Sequence, residues 1–171
     1  MATDYEKLYR TSPNALGQPT RAFVDFFDTY PREAVNVLDV GCGQGRDAIF
    51  IARLGHRVTG VDISPAGISA MLAASRTEDL DISGIVSDIR DYQPDGQYDV
   101  MVLDRCLHML NEADRLSVLS TLIQHVTKPG YLLIADEKSN IEGFRNVLDA
   151  SGSDWTSMLE RGGYLFVKRN I

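Results

Sequence analysis

The residues with the clearest chemical meaning lie where Val37-Leu38-Asp39-Val40 runs into Gly41-Cys42-Gly43-Gln44-Gly45 and then Arg46-Asp47. An apolar strand pattern meets three alternate glycines and passes into a helical pattern. Such a turn suits a nucleotide-like cofactor, because glycine turns tightly and lets backbone N–H groups approach a ligand without a Cβ in the way. The spacing narrows the cofactor. A dinucleotide fingerprint needs a small residue at its sixth place, where the following helix packs closely on the strand. Counted from Gly41 that place holds Arg46, and the third glycine, Gly45, comes one residue early. A second strand, Arg57-Val58-Thr59-Gly60-Val61, ends in Asp62. An acid about 20 residues beyond the first glycine can accept both hydroxyls of a ribose. Asp62 also begins the loop before Ser64 and Pro65, an N-cap followed by proline at the first helical position, and the two roles are compatible.

With Asp39 two residues before the first glycine, the chain resembles the class I S-adenosylmethionine-dependent methyltransferases, whose first motif reads acid-x-Gly-x-Gly-x-Gly. The resemblance covers about Val35 to Lys168. It implies a Rossmann-like α/β domain with a seven-stranded mixed sheet, helices on both faces and a last strand running antiparallel beside the fifth. It also implies S-adenosylmethionine as cofactor and S-adenosylhomocysteine as product. Carried onto the matching positions, Asp39, Gly41, Gly43 and Gly45 would cradle the methionine end, with Cys42 as the small residue between two glycines. Asp62 would hold the ribose, Ile63 would pack on one adenine face, and Asp88 would accept the adenine amino group with Ile89 beside it. A turn acid competing with Asp91 is the other reading of Asp88. The opening segment, Tyr5-Glu6-Lys7-Leu8-Tyr9 with Pro13, Leu16-Gly17 and Pro19, is similar to that of the tellurite-resistance and thiopurine-like methyltransferases. Gly45-Arg46-Asp47 resembles the first of these. Those families methylate soft, polarisable acceptors or small heteroatoms, although packing on a core explains such a segment equally well.

On this resemblance the acceptor side follows the fourth strand, at Asp104-Arg105-Cys106-Leu107-His108-Met109-Leu110. Methyl transfer from a sulfonium is an in-line displacement in which charge on sulfur disappears, so alignment and desolvation carry much of the catalysis. No metal is required. A base matters only if the acceptor must lose a proton, and His108, the side chain that changes charge nearest neutral pH, is then the leading catalytic candidate. Packing under the cofactor is its other reading. Asp104 would shape the cofactor or acceptor pocket. Arg105, Arg46 and Arg21 could each pair with the methionine carboxylate. No Asp-Pro-Pro-Tyr or Asn-Pro-Pro-Tyr follows the fourth strand, which argues against the amide and exocyclic-amine methyltransferases. Asp104, Asp136 and Glu137 offer oxygen ligands to a hard cation, but Lys138 puts a positive charge close by.

The elements that must position these residues alternate strand and helix, the pattern of an α/β sheet. A helix from Thr20 to Tyr30 with Ala22, Phe23, Phe26, Phe27 and Tyr30 on one face precedes the strand Val35 to Val40. A helix from Asp47 to Leu54 is closed by Gly55, the third strand spans Ile82 to Ser87, and the fourth spans Tyr98 to Leu103. Asn111 caps a helix Glu112 to Thr127, which Lys128-Pro129-Gly130 closes before a fifth strand, Tyr131 to Ala135. A helix near Ile141 to Ala150 follows. Trp155 to Leu159 and Tyr164 to Val167 flank Gly162-Gly163 as the strands of a hairpin.

The chain of 171 residues suits a single domain, with residues 1–19 as a lid segment, 20–31 as a leading helix and 35–168 as the core. No apolar run approaches the roughly 18–20 residues of a membrane span, and the polar N-terminus is unlike a secretory signal, so a cytoplasmic protein is expected. Its two cysteines, Cys42 and Cys106, have no metal-ligand spacing. A formal charge of −7 argues against nucleic acid as partner and for a small-molecule acceptor. The oligomeric state and the acceptor's identity are not written in the sequence. Two alternatives stay open: a nicotinamide-dependent oxidoreductase of similar architecture, and an S-adenosylmethionine-binding protein without transfer activity.

Overall fold

The computed structural model describes residues 3–31 and 33–171, and these divide into two compact units, Met1–Ile89 and Arg90–Ile171. The first holds α1 (Tyr5–Thr11), α2 (Arg21–Thr29), β1 (Asn36–Val40), α3 (Arg46–Arg53), β2 (Arg57–Asp62), α4 (Pro65–Glu78) and β3 (Ile82–Val86). The second holds β4 (Tyr98–Asp104), α5 (Glu112–Leu122), β5 (Val126–Ala135), α6 (Ile141–Ala150), β6 (Trp155–Arg161) and β7 (Tyr164–Arg169). The strands form a seven-stranded mixed sheet in the order β3-β2-β1-β4-β5-β7-β6, the architecture the resemblance implies.

In the first unit β1 pairs in parallel with β2, and β2 with β3, so the carboxyl ends Val40, Asp62 and Val86 come out on one edge. Val37, Leu38, Val40, Val58 and Val61 are buried, as expected of a parallel sheet whose strands read as near-continuous apolar runs. The expected capping of α4 is present: the Ser64 hydroxyl accepts from the Gly67 N–H at 3.0 Å, and Pro65 opens the helix. Helix α2 buries Phe23, Phe26 and Phe27, three of the aromatic residues of its anticipated face. Helix α1 is an addition to the sequence reading, which assigned the opening segment no structure. Asp4 caps it by accepting from the Lys7 N–H at 3.0 Å, and Tyr9 is its buried anchor.

In the second unit β4 and β5 run parallel, while β7 runs antiparallel to both β5 and β6 across the Gly162-Gly163 turn. One boundary differs from expectation. The helix begun at Glu112 ends at Leu122, gives way to a 3-10 turn over Ile123–His125, and β5 already begins at Val126. Lys128-Pro129-Gly130 therefore lies inside the strand, where the register against β4 jumps from Tyr98↔Val126 to Val100↔Tyr131. A register irregularity is where a strand tolerates proline, since no ladder N–H is needed there. The early stop has a distant cause: the buried Arg169 guanidinium donates to the Ile123 carbonyl at 3.2 Å and the Val126 carbonyl at 2.6 Å, satisfying acceptors at the helix end. Arg169 also donates to the Ser153 hydroxyl at 2.7 Å and lies 5.6 Å from the Trp155 ring centroid. In β6, Met158 is an extra residue between the pairs Ser157↔Val167 and Leu159↔Phe166, a bulge on the outermost strand.

Among the described residues no helix is long and apolar enough to cross a membrane.

Candidate functional site

The sequence-predicted residues of the first unit converge at the carboxyl ends of β1, β2 and β3. The turn after β1 is pinned from beneath. Gly41 and Cys42 donate their N–H groups to the Val61 carbonyl at 2.7 and 3.1 Å, and Gly45 donates to Cys42 at 2.8 Å. Asp39 is buried in β1 opposite Gly60, and the Cys42 thiol packs against that same glycine. Gly41, Gly43 and Gly45 all adopt positive φ, and at the last two a Cβ would also meet a neighbour. Gly43 (φ 54°) faces the Tyr9 hydroxyl, which would lie 2.5 Å from an added Cβ, and Gly45 (φ 82°) faces the buried Met71 side chain of α4 so closely that a Cβ would overlap it. Gly45 thus serves the tight helix contact that a dinucleotide fingerprint assigns to its sixth place.

Asp62 is the hub of this turn. One carboxylate oxygen accepts from the Gly43 N–H at 2.9 Å and the other from the Ser64 N–H at 2.8 Å, and the residue is 9% exposed. Each oxygen keeps a further lone pair for an incoming donor. Burial pushes the Asp62 carboxyl above the ordinary carboxylate range, the Ser64 and Gly43 N–H groups pull it back, and the neighbouring Glu6 charge pushes it up again. Immediately after it Ile63 is 62% exposed, and Val86, which pairs with Asp62 in the β2–β3 register, is 51% exposed. Two open apolar side chains beside a buried acid make a surface suited to a flat ring. Asp88 and Ile89 follow in the bend after β3, half-buried, and the Ser87 N–H donates to the Asp62 carbonyl at 3.0 Å.

Sequence reasoning missed how the opening segment is tied to this turn. Gln44 accepts from the Ala15 N–H at 2.9 Å and donates to the Tyr9 and Ser12 carbonyls at 3.1 and 3.0 Å. Glu6 accepts from the Ser64 hydroxyl in a short hydrogen bond and from the Ala66 N–H at 3.2 Å. The Thr20 N–H donates to the buried Asp47 carboxylate at 3.1 Å. Burial raises the Tyr9 hydroxyl's pKa well above the ordinary phenol range, and the nearby Asp62 charge adds to it. The sequence signal available was a polar Gln44 between two glycines, a position with no packing role. The first two residues of the 1–19 segment, Met1 and Ala2, lie outside the described residues.

The arginines separate. Arg46 pairs with Asp47 at 2.8 Å and reaches the Thr20 hydroxyl at 3.3 Å, so its charge is engaged within the turn. Arg21 pairs with Asp25 at 2.7 Å on the open face of α2. Arg105 is exposed, and its backbone adopts φ 53° while its N–H donates to the Ala135 carbonyl at 2.7 Å. A side-chain-bearing residue in this left-handed region costs on the order of 1–3 kcal/mol, so the loop after β4 is held against strain.

In the second unit Asp104 ends β4 half-buried, Leu107–Met109 form a 3-10 turn, and Leu107 is fully buried while Met109 is 51% exposed. The His108 backbone N–H donates to Asp136 Oδ2 at 3.0 Å, and its ring Nδ1 lies 4.0 Å from the same oxygen. Asp136 Oδ1 accepts from the Glu137 N–H at 2.8 Å and from the Asn140 side-chain amide at 2.7 Å. Among the described residues no group of three or more His, Cys, Asp or Glu is arranged to hold a metal ion.

Residues 37–130 match the model of a methyltransferase domain. Over 98 residues, 57% of the chain, it is 33% identical to a probable S-adenosyl-L-methionine-dependent methyltransferase TehB of Haemophilus influenzae, of which it spans 34%. A ubiquinone biosynthesis O-methyltransferase of Maricaulis maris is 30% identical across 96% of the chain, which spans 65% of that relative. The chain thus covers about a third of the length of the first relative and under two thirds of the second. The crystal structure of a TehB-like S-adenosylmethionine-dependent methyltransferase from Corynebacterium glutamicum superposes with a TM-score of 0.73 at 20% identity, covering 98% of this chain and 96% of that one.

Proposed function

We propose, for a chain that belongs to the methyltransferase-domain family and is a class I S-adenosylmethionine-dependent methyltransferase, that it methylates a small-molecule acceptor by in-line displacement without a metal. The observation that carries the reading is Asp62, a buried acid bonded into the glycine turn with a spare lone pair on each oxygen and two open apolar side chains beside it. These features fit an adenosine group: the acid accepts ribose hydroxyls, Ile63 and Val86 cover an adenine face, and Asp88 with Ile89 closes its edge. Asp39 and the turn from Gly41 to Gly45 then lie toward the methionine end. S-adenosylmethionine, when bound, supplies a sulfonium methyl, and the C–S bonding pair returns to sulfur as the acceptor's lone pair takes that methyl.

The chain's own residues bind, orient and exclude water. Pre-ordering of the turn by the Val61, Asp62 and Gln44 bonds means that little has to be fixed on binding, which favours affinity. The opening segment from Tyr5 to Leu16 covers the turn and acts as its lid. In the loop after β4, half-buried Cys106 and exposed Met109 carry polarisable sulfur, in keeping with a soft nucleophile such as a thiol, and half-buried Asp104 stands at the start of that loop. His108 is the residue available to take a proton.

Two measurements test this. S-adenosylhomocysteine at 100 times its dissociation constant should add about 2.7 kcal/mol of stability, read as a melting shift, while NAD and NADP add none. An acceptor panel of thiols, hydroxyls and oxyanions, scored by S-adenosylhomocysteine release, should identify a substrate. A shift with NAD and none with S-adenosylhomocysteine would overturn the reading.

A further inference from the structure

Asp136, the residue that follows β5, is a buried acid outside the glycine turn. It is 5% exposed, and three donors converge on its two oxygens: the backbone N–H groups of His108 and Glu137 and the Asn140 amide. Its own N–H donates to the Gly163 carbonyl at 2.8 Å, so the hairpin turn is locked to the same residue. One group beside it is unsatisfied. His108 Nδ1 is buried with no hydrogen-bond partner among the described residues, 4.0 Å from Asp136 Oδ2, while 22% of the His108 side chain is exposed. That exposure belongs to the rest of the ring, so the buried nitrogen faces the carboxylate and the remainder of the imidazole faces out.

We propose that Asp136 is the positioning residue of the acceptor side, holding neutral His108 with its proton on Nδ1 and leaving Nε2 as an outward-facing base, and that the acceptor is accordingly protic. The proposal rests on the methyl-transfer reading above and specifies its substrate class as a thiol or hydroxyl. A buried Nδ1 carrying a lone pair toward a carboxylate would set two acceptors against each other, whereas an N–H there faces its natural partner. At 4.0 Å the pair is longer than a hydrogen bond, so the carboxylate favours an N–H at Nδ1 by its charge, and with it a basic Nε2. The backbone bond from His108 to the same oxygen sets the ring's distance, so Asp136 controls both the turn and the imidazole it carries. In the transfer the acceptor's heteroatom forms its bond to the methyl carbon and sheds its proton to Nε2. The positive charge lost at sulfur reappears on the imidazolium, 4.0 Å from a negative carboxylate. Atoms and charge balance without an added reagent.

The test begins with the wild-type protein, free of cofactor and acceptor. The ring ¹⁵N shifts of neutral His108 should report the proton on Nδ1, and a proton on Nε2 would overturn the proposal whether or not methyl transfer is ever found. Next come Asp136→Asn and Asp136→Glu. With a thiol or hydroxyl acceptor Asp136→Asn should lower kcat at least about tenfold with KM for S-adenosylmethionine unchanged, and should move the His108 proton to Nε2. Asp136→Glu should restore part of the rate and the tautomer. Wild-type kcat in Asp136→Asn, or loss of rate with the Nδ1 tautomer retained, would reduce Asp136 to a structural hydrogen-bond acceptor and overturn the proposal.

Discussion

The glycine turn after β1 and the loop after β4 both follow a parallel strand, yet they are stabilised in opposite ways. The first is held along its backbone. Val61 and Asp62 take its N–H groups, Met71 packs beneath it and Gln44 ties it to the opening segment. The second carries a left-handed Arg105 and takes a side-chain anchor from Asp136, whose carboxylate accepts the His108 N–H. A turn fixed by many backbone bonds resists sequence change at most of its side chains but not at its glycines. A loop anchored through a side chain is sensitive to change at that side chain, here Asp136. On the proposed function, the first region sets cofactor geometry and the second bears on acceptor choice.

The sharpest way to break the contrast is Gly45→Ala. A Cβ there would overlap the Met71 stem, and the residue would also sit at φ 82°. Overpacking and backbone strain together should cost about 2–4 kcal/mol, measured by chemical denaturation. Near-wild-type stability would mean that α4 gives way easily and the turn is less constrained than its bonds suggest. Asp62→Ala should act on binding instead. On the proposed ribose role, loss of this acid removes charged hydrogen bonds of about 1.5–3 kcal/mol each, so calorimetry should show S-adenosylhomocysteine affinity reduced at least about tenfold. Because the folded Asp62 pKa lies above its ordinary value of 3.8, the native state holds more protons there than the unfolded chain does. The fold consequently loses stability as pH rises from that value through the raised one, and this slope should vanish in Asp62→Ala.

Gln44→Ala probes the tie itself. Three hydrogen bonds at half-buried positions disappear, and a loss of about 1–3 kcal/mol is expected, with weaker cofactor binding and faster hydrogen exchange over residues 5–16. Unchanged exchange in that segment would show that Tyr9 and Glu6 hold it alone. The smallest effect concerns His56, buried between the Phe27 and Tyr30 rings with centroids 5.5 and 6.0 Å away. Burial lowers its pKa from 6.5, against an opposing pull from Glu33, so the fold favours the neutral ring. Stability is full above 6.5 and falls as pH drops through that value. Melting curves between pH 7.5 and pH 5, values chosen about that midpoint, should show the decline in wild type and its absence in His56→Phe.

The two regions were also unequally legible in the sequence. Alternate glycines, an acid at the end of β2 and the Ser64-Pro65 start of α4 are local signals, and the structure joins them in one turn. The apolar residue Ile63 just after β2 was legible for the same reason, whereas Val86, which pairs with Asp62, depends on the β2–β3 register. Contacts between distant segments carried no local signature. Gln44 meets Tyr9 and Ser12 more than 30 residues away, and Asp136 meets His108 at a separation of 28. The α5 boundary was misplaced for this reason as well. Proline and glycine at 129 and 130 read as a helix stop, but Arg169, 43 residues beyond Val126, sets where the helix ends.

The bulge at Met158 bears on how the protein behaves in crowded solution. β6 is the outermost strand at its end of the sheet, and outermost strands are templates on which foreign chains can stack. An extra residue breaks the even spacing of the ladder halfway along, and the Arg145–Glu160 ion pair places charge beside the same strand. A second polypeptide laid along β6 would fall out of step after a few residues. The irregularity is a safeguard against runaway self-association, built into the longer of the sheet's two edge strands.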